Sequence, residues 1–408
     1  MKCGLLGEVL KHSYSPQIHS YLGTYSYCLF EKKPEELEAF LSHGDFHGLN
    51  VTIPYKKAVI PYCSELTERA KALGAVNTLI RREDGTLLGH NTDFFGFAYM
   101  VKQSGLDVTG KKVLVLGSGG ASKPVVAVLS TLGANPVVIS RTGENHYGNL
   151  HLHEDASVLV NCTPVGMYPN VLKSPVSLDA FPHLEGVLDL IYNPERTQLL
   201  MEANQRGLVT CNGLSMLVAQ AFESAQWFLG KSLPETQIKT IYRNLKKQTE
   251  NIILIGMPGC GKSTVGKILS AKTGKTFIDT DGEIERKAGM SIPDIFAREG
   301  ESGFRARETA VLQEYGKQSG LVIATGGGWV TKAENYPHLH QNGRIFWLQR
   351  PISQLERAGR PLSIGADLEA MYEKRAPLYR QFSDETVYNC NAPEETAQII
   401  LKLWEESL

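Results

Sequence analysis

Short apolar runs alternate with longer amphipathic stretches along most of the chain. KKVLVLG, NPVVIS, SVLVNC and GVLDLI read as buried strands and the segments between them as helices, which predicts a parallel sheet covered by helices. The alternation resumes at NIILIG. Before it, IKTIYRNLKKQTEN is polar and basic, so a boundary is expected near Lys247. The unit opening at KKVLVLG should run to about Thr210, leaving residues 1 to about 98 on its other side. The helix-like GLSMLVAQAFESAQWFLG returns the chain to that earlier part. The expected organisation is α/β throughout, with one domain at 1–98 completed by about 212–246, a second at 99–211 and a third at 247–408.

A chain of 408 residues is long enough for more than one core. A net charge of -1 with 21% charged residues shows no basic bias, so neither a nucleic acid nor a membrane is expected as partner, and any anion site must be local. Apolar runs such as VVAVL fall well short of the roughly 18 residues a membrane span needs, and MKCGLLGEVLKHS is too short in apolar residues for a signal peptide. A cytoplasmic monomer is expected. The seven cysteines are scattered and never spaced C-x-x-C, which argues against a disulfide framework or a zinc site.

Two glycine loops carry the candidate chemistry. In KKVLVLGSGGASKP, Gly117, Gly119 and Gly120 permit the tight turn and close backbone approach that a pyrophosphate at a helix N-terminus requires, while Ser122 stands where the common fingerprint has its last glycine. Such a loop alone is a weak signal. About 20 residues on, where an NAD binder places an acidic residue, the chain reads Ser140-Arg141-Thr142. A cation there suits the 2'-phosphate of NADP, and a surface arginine after a strand is the plainer alternative. Reduction of a carbonyl also needs a proton donor. Lys56 in LNVTIPYKK and Asp93 in LGHNTDFFGF are the candidates, an ammonium to donate and a carboxylate to orient it, although each alone is commonly an exposed lysine or a capping aspartate. His146, His151 and His153 make a metal site conceivable, but a solvated loop is the simpler reading.

SYSPQIH, NVTIPYK, GAVNT, GHNTD, GSGGAS, SRT, NCTPVGM, DLIYNPERTQLL and NGLSMLVAQA occur in the order seen in shikimate dehydrogenases, and residues 1 to 246 resemble that family. The resemblance implies an α/β substrate domain followed by a Rossmann-type NADP domain, and reduction of 3-dehydroshikimate with NADPH by Lys56 and Asp93. It implies that Ser13, Ser15, Thr52, Asn77, Asn91 and Gln220 hold the hydroxyls and carboxylate of the substrate. Gly117, Ser118, Gly119, Gly120, Ala121, Ser140, Arg141, Thr142, Asn161, Thr163, Met167, Gly213 and Met216 would line the cofactor cleft. A second basic residue often follows the arginine in the family, whereas here Gly143, Glu144 and Asn145 follow.

The second loop, GMPGCGKS, fits G-x-x-x-x-G-K-S without mismatch and lies between an apolar strand and a helix-compatible TVGKILSAKTG. Gly259, Cys260 and Gly261 would cradle phosphates through backbone N–H groups, Lys262 would neutralise the β and γ groups, and Ser263, followed by Thr264, would ligate Mg2+. Asp279 and Asp281 in KTFIDTDGEIE alternate as if at the end of a strand, which would aim both carboxylates to one side; the alternative is that they cap the following helix. Arg305 and Arg375 suit bidentate capture of a carboxylate, and ATGGGWV lets backbone approach a ligand closely.

These segments, with SIPDIFAREGESGFRARE, GRPL and KRAPLYR, resemble a shikimate kinase over nearly all of 247–408, a P-loop domain of the nucleoside-monophosphate-kinase-like type. The resemblance implies transfer of the γ-phosphoryl of ATP to the 3-hydroxyl of shikimate. Asp281, Arg305, Gly327, Gly328 and Arg375 would bind shikimate, Asp279 would act at the metal, and Arg360 would be a lid arginine meeting the transferring phosphoryl. The lid stretch RAGRPL is short for the family, and NCNAPEET lacks an arginine that often stacks on adenine. The implied product of the first half is the implied acceptor of the second. Two other classes fit less of the pattern: a quinate-type NAD dehydrogenase beside another small-molecule kinase, and a nucleotide-responsive regulatory protein.

Overall fold

The computed structural model describes residues 1–10, 13–355, 367–390 and 392–408. Its strands form three sheets. β1 (Lys2–Gly7), β2 (Ser26–Glu31), β3 (Gly48–Val51), β4 (Glu65–Leu66), β5 (Thr78–Arg81) and β6 (Leu87–His90) form the first, in the order β2-β1-β3-β5-β6-β4. It is mixed: β1 runs parallel to β2 and β3, and β5 runs antiparallel to β3 and β6. Its core gathers Leu6, Leu41, Leu49, Val59 and Val76.

The second sheet is parallel, as the buried apolar runs predict. β7 (Lys112–Leu116), β8 (Asn135–Ile139), β9 (Val158–Asn161), β10 (Gly186–Asp189) and β11 (Val209–Asn212) stand in the order β11-β10-β9-β7-β8. The strand order reverses between β7 and β9, so a ligand crevice is expected at their carboxyl ends. The register puts Leu116 beside both Ile139 and Asn161, and Asn161 beside Asp189, so these ends are level.

The third sheet, also parallel, comprises β12 (Asn251–Ile255), β13 (Thr276–Asp279), β14 (Leu321–Ala324), β15 (Gly343–Gln349) and β16 (Glu385–Tyr388), in the order β13-β14-β12-β15-β16. Central β12 is buried along its whole length, and each of Ile252, Ile253, Leu254 and Ile255 contributes roughly 1.5–3 kcal/mol by leaving water. Trp329, Trp347 and Trp404 complete this core.

Contacts divide the chain into two units. The first comprises Met1–Val165, Ser174–Tyr192 and Glu202–Tyr242, and the second Gly166–Lys173, Asn193–Met201 and Arg243–Leu408. In the first unit the helix Leu214–Leu229 buries Leu214, Val218, Ala221, Phe222 and Ala225 at helical spacing and packs on the helix Asp93–Ser104. Gly96 permits their approach, because a Cβ there would lie 2.8 Å from the Met216 carbonyl oxygen. Among the described residues no helix is long and apolar enough to cross a membrane.

Candidate active sites

In the first unit, Lys56 and Asp93 come together from a turn after β3 and from the start of the helix Asp93–Ser104. Lys56 Nζ donates to Asp93 Oδ2 at 2.7 Å, with the two side chains 24% and 10% exposed. The other carboxylate oxygen accepts from Asn77 Nδ2 at 2.9 Å. Asn77 Oδ1 accepts from the Thr92 amide at 2.8 Å, and Asn91 Oδ1 accepts from the Asp93 amide at 3.0 Å. Asn91 is itself tied to the Ala75 carbonyl. The carboxylate is thus aimed by buried amides, and an ammonium held on one of its oxygens can still offer its remaining protons to a ligand.

Gln220 Oε1 accepts from Thr92 Oγ1 at 3.4 Å, which links the helix Leu214–Leu229 to this network. Ser13 Oγ accepts from the Ser15 amide at 3.2 Å. Thr52 follows β3, with its amide on the Leu6 carbonyl. The sequence reading missed Tyr192: its ring lies 5.6 Å from that of Tyr14, the residue between the two serines. Its place in DLIYNP, just after a strand end, was the available signal.

The first glycine loop leaves β7 at its carboxyl end and enters the helix Ser122–Thr131. Gly117 has φ +101°, and a Cβ there would also meet Thr163 at 2.9 Å. A Cβ on Gly119 or Gly120 would meet nothing within 4 Å, so the space beside the loop, next to exposed Ser118 and partly exposed Ala121, is open as a dinucleotide requires. Asn161 is fully buried, donates to Asp189 Oδ1 at 3.0 Å and accepts from Thr163 Oγ1 at 2.7 Å, which fixes the rim opposite the loop. Ser140 and exposed Arg141 and Thr142 follow β8, with the Ser140 hydroxyl on the Thr142 carbonyl. Gly213 caps the helix Leu214–Leu229, and Met216 packs on the core under the second sheet. Met167 is exposed and falls in a segment grouped with the second unit.

The histidine segment is a self-bonded turn. His146 Nδ1 accepts from the Gly148 amide at 3.1 Å and His153 Nε2 meets Asn145 Oδ1 at 3.1 Å. Among the described residues no cluster suits a metal ion.

In the second unit the loop after β12 turns through Gly256, Gly259 and Gly261, all with positive φ, into the helix Lys262–Thr273. Lys262 Nζ donates to the loop carbonyls of Gly256 and Met257, both at 2.9 Å, so its charge is held at the loop mouth. Ser263 Oγ donates to Asp279 Oδ2 at 2.6 Å, bringing together the two residues implied at a metal. Thr264 is exposed one residue further on. Asn389 Nδ2 donates to the buried Cys260 carbonyl at 2.6 Å and braces the loop from the carboxyl end of edge strand β16.

The alternating-strand expectation holds for Asp279 and fails for Asp281. β13 ends at Asp279, which caps the helix Thr280–Ala288 by accepting from the Asp281 amide at 3.2 Å, so Asp281 projects from a first helical turn. Both still line a cavity of about 490 Å³ with Lys262, Ser263, Arg305, Gly327, Gly328 and Arg375. Arg305 is buried, and its Nη1 donates to Glu308 Oε2 at 2.7 Å. Burial pushes the Glu308 carboxyl up, against the pull of Arg305. Arg375 Nη1 donates to the Gly327 carbonyl at 3.2 Å, and Tyr379 bonds the same oxygen. A Cβ on Gly328 would lie 2.2 Å from Arg305 Nη2, so only glycine leaves the guanidinium its place. Arg360 lies outside the described residues.

Two family models match the chain: the shikimate dehydrogenase substrate binding domain over residues 5–79 and shikimate kinase over residues 258–405. A shikimate dehydrogenase (NADP(+)) of Clostridium perfringens is 35% identical over 266 residues, covering 60% of this chain and 97% of that protein. The bifunctional 3-dehydroquinate dehydratase/shikimate dehydrogenase of Arabidopsis thaliana is 35% identical over 57% of this chain, which spans 44% of that longer protein. The shikimate 5-dehydrogenase of Thermus thermophilus, solved with NADP(H) and shikimate, superposes with a TM-score of 0.55 at 30% identity, covering 60% of this chain and 99% of that one. The chain is therefore a member of the shikimate dehydrogenase family with a shikimate kinase domain joined behind it, a bifunctional shikimate-pathway enzyme.

Proposed function

We propose that residues 1–246 reduce 3-dehydroshikimate to shikimate with NADPH, and that residues 247–408 phosphorylate the 3-hydroxyl of shikimate with ATP and Mg2+. The observation that carries the first assignment is the Lys56–Asp93 pair, 2.7 Å apart and braced by Asn77. Bound NADPH supplies the hydride. Lys56 gives a proton to the carbonyl oxygen as the hydride arrives, so no alkoxide accumulates, while Asp93 keeps the ammonium on line. Ser13, Ser15, Thr52, Asn77, Asn91 and Gln220 hold the ring, since a site built from hydrogen-bonding groups rejects analogues that lack the matching hydroxyls. Arg141 faces the 2'-phosphate. On this reading 1–98 with 212–246 is the substrate domain and 99–211 the cofactor domain.

In the second reaction bound ATP supplies the phosphoryl group and Mg2+ offsets its charge. Ser263 and Asp279, already joined at 2.6 Å, hold the cation. Lys262 leaves the loop carbonyls for the phosphates. Arg305, Arg375, Gly327 and Gly328 seat shikimate, Asp281 accepts the proton of the attacking hydroxyl, and Arg360 meets the transferring group.

Mass spectrometry of the chain incubated with 3-dehydroshikimate, NADPH, ATP and Mg2+ tests both steps. Shikimate 3-phosphate is expected in the full mixture and shikimate alone without ATP. No shikimate from 3-dehydroshikimate, with added shikimate still phosphorylated, would sink the reductase assignment.

A further inference from the structure

Tyr27, on β2, belongs to none of the roles above. Its hydroxyl donates to Asn50 Oδ1 at 2.8 Å, and the Ser15 side chain acts on it, drawing down a pKa that burial raises. The path continues: Asn50 Nδ2 reaches Thr78 Oγ1 at 3.4 Å, Thr78 Oγ1 donates to Asn77 Oδ1 at 3.1 Å, and Asn77 Nδ2 donates to Asp93 Oδ1 at 2.9 Å. Every donor from Tyr27 onward points the same way and the series ends on the carboxylate that holds Lys56. Hydrogen bonds aligned in this manner polarise one another.

The register explains the reach. Tyr27 pairs with Cys3 on β1, and Asn50 pairs with Leu5 on the other side of that strand, so the phenol crosses β1 diagonally. The ring itself is clamped: it stacks on His19 with centroids 4.0 Å apart and planes 9° from parallel. His19 is buried, shares a 2.6 Å hydrogen bond with the Tyr25 hydroxyl, and is kept neutral by burial.

We propose that Tyr27 is a positioning residue of the reductase site, registering Ser15 at one end of the substrate pocket against Asn77, Asp93 and Lys56 at the other. The proposal rests on the reductase assignment above. It follows that the Tyr27 hydroxyl contributes to binding of the ring and to nothing at the cofactor.

The experiment measures steady-state reduction of 3-dehydroshikimate by the full chain carrying Tyr27→Phe, Tyr27→Leu, Ser15→Ala and the Ser15→Ala/Tyr27→Phe pair. Tyr27→Phe keeps the stack on His19 and removes only the hydroxyl. Its KM for 3-dehydroshikimate is expected to rise about tenfold, the size of one lost buried hydrogen bond, with KM for NADPH unchanged. The double variant is expected to be hardly worse than either single one, because on this proposal Ser15 is registered through the Tyr27 hydroxyl. If Tyr27→Phe does not fold, Asn50→Ser cuts the path one step later with the phenol in place and should give the same selective rise. Tyr27→Phe indistinguishable from the parent, with Tyr27→Leu merely lowering the melting temperature, would reduce the residue to packing and overturn the proposal, as would additive effects in the pair. A parent chain that reduces no 3-dehydroshikimate overturns the assignment beneath it as well, so the two failures are told apart by the parent alone.

Discussion

Lys56 and Asp93 stand 37 positions apart in sequence, yet their charged groups meet at 2.7 Å, and Asn77 binds the carboxylate oxygen that Lys56 leaves free. The pair is connected so that either partner can be removed without touching the second sheet or its glycine loop. Lys56→Ala and Asp93→Asn should each lower kcat for reduction by about 10²–10⁴-fold, the range for a positioned proton donor, with NADPH binding intact. Phosphorylation of added shikimate by the same preparations should be unchanged, and a parallel loss there would mean misfolding rather than lost chemistry.

Ser263 and Asp279 make a second such pair at 2.6 Å. Asp279→Asn keeps a side-chain oxygen that can cap the helix Thr280–Ala288 but removes the charge facing the proposed cation. The Mg2+ concentration for half-maximal kinase activity should rise roughly tenfold or more, the cost of about one charge-assisted contact. Titration of Mg2+ at saturating ATP and shikimate checks it; an unchanged midpoint would place the cation elsewhere.

Local signals carried much of this architecture. The loops at Gly117 and Gly259–Gly261 are legible because strand, turn and helix follow each other within some 20 residues. Alternation places Asp279 at the strand end but not Asp281, which the helix-start signal of an aspartate before Thr280 puts in a first helical turn. The link of Tyr192 to Tyr14 gives no local signal because it exists only in three dimensions, and neither does the bond of Asn389 to Cys260, which spans 129 positions. Lys56 and Asp93 are legible as residue types suited to the chemistry, but their contact, like the buried relay through Asn77 and Thr78, depends on the pairing of β3, β5 and β6, which no local pattern encodes.

Gly328 offers a steric test of the kinase cavity. A methyl group there would fall 2.2 Å from Arg305 Nη2 and within 2.4 Å of Cζ, so the guanidinium would have to leave the place where Glu308 holds it. Gly328→Ala is expected to raise KM for shikimate at least tenfold, a displacement costing more than about 1.4 kcal/mol, while KM for ATP stays within about twofold. Kinase assays varying each substrate in turn decide it, since an effect on ATP alone would detach Arg305 from the acceptor.

Arg141 is exposed just past β8. If it meets the 2'-phosphate, Arg141→Ser should raise KM for NADPH about tenfold and leave NADH, which lacks that group, unaffected. The NADPH effect should shrink in high salt, because an exposed ion pair is screened. Equal losses with both cofactors would assign the arginine to the loop's folding instead.

His19 predicts the acid behaviour of the first unit. Burial lowers its pKa from 6.5 to about 3 in the folded protein. Above pH 6.5 the imidazole is neutral in both folded and unfolded chains and stability is indifferent to it. Between about 6.5 and 3 the unfolded chain takes up a proton that the folded one refuses, so each unit of acidification favours unfolding by up to about 1.4 kcal/mol. His19→Phe removes the titrating group and keeps an aromatic ring against Tyr27. The variant should therefore lose less stability than the parent as pH falls from 6.5 to 4.5, even though it forfeits the bond to Tyr25 and starts from a lower value at pH 7. Urea unfolding followed by amide hydrogen exchange in peptides of the first unit, read by mass spectrometry, reports the difference. Parallel pH profiles for the two proteins would show that His19 becomes protonated in place, and that the stack beneath Tyr27 tolerates a charge.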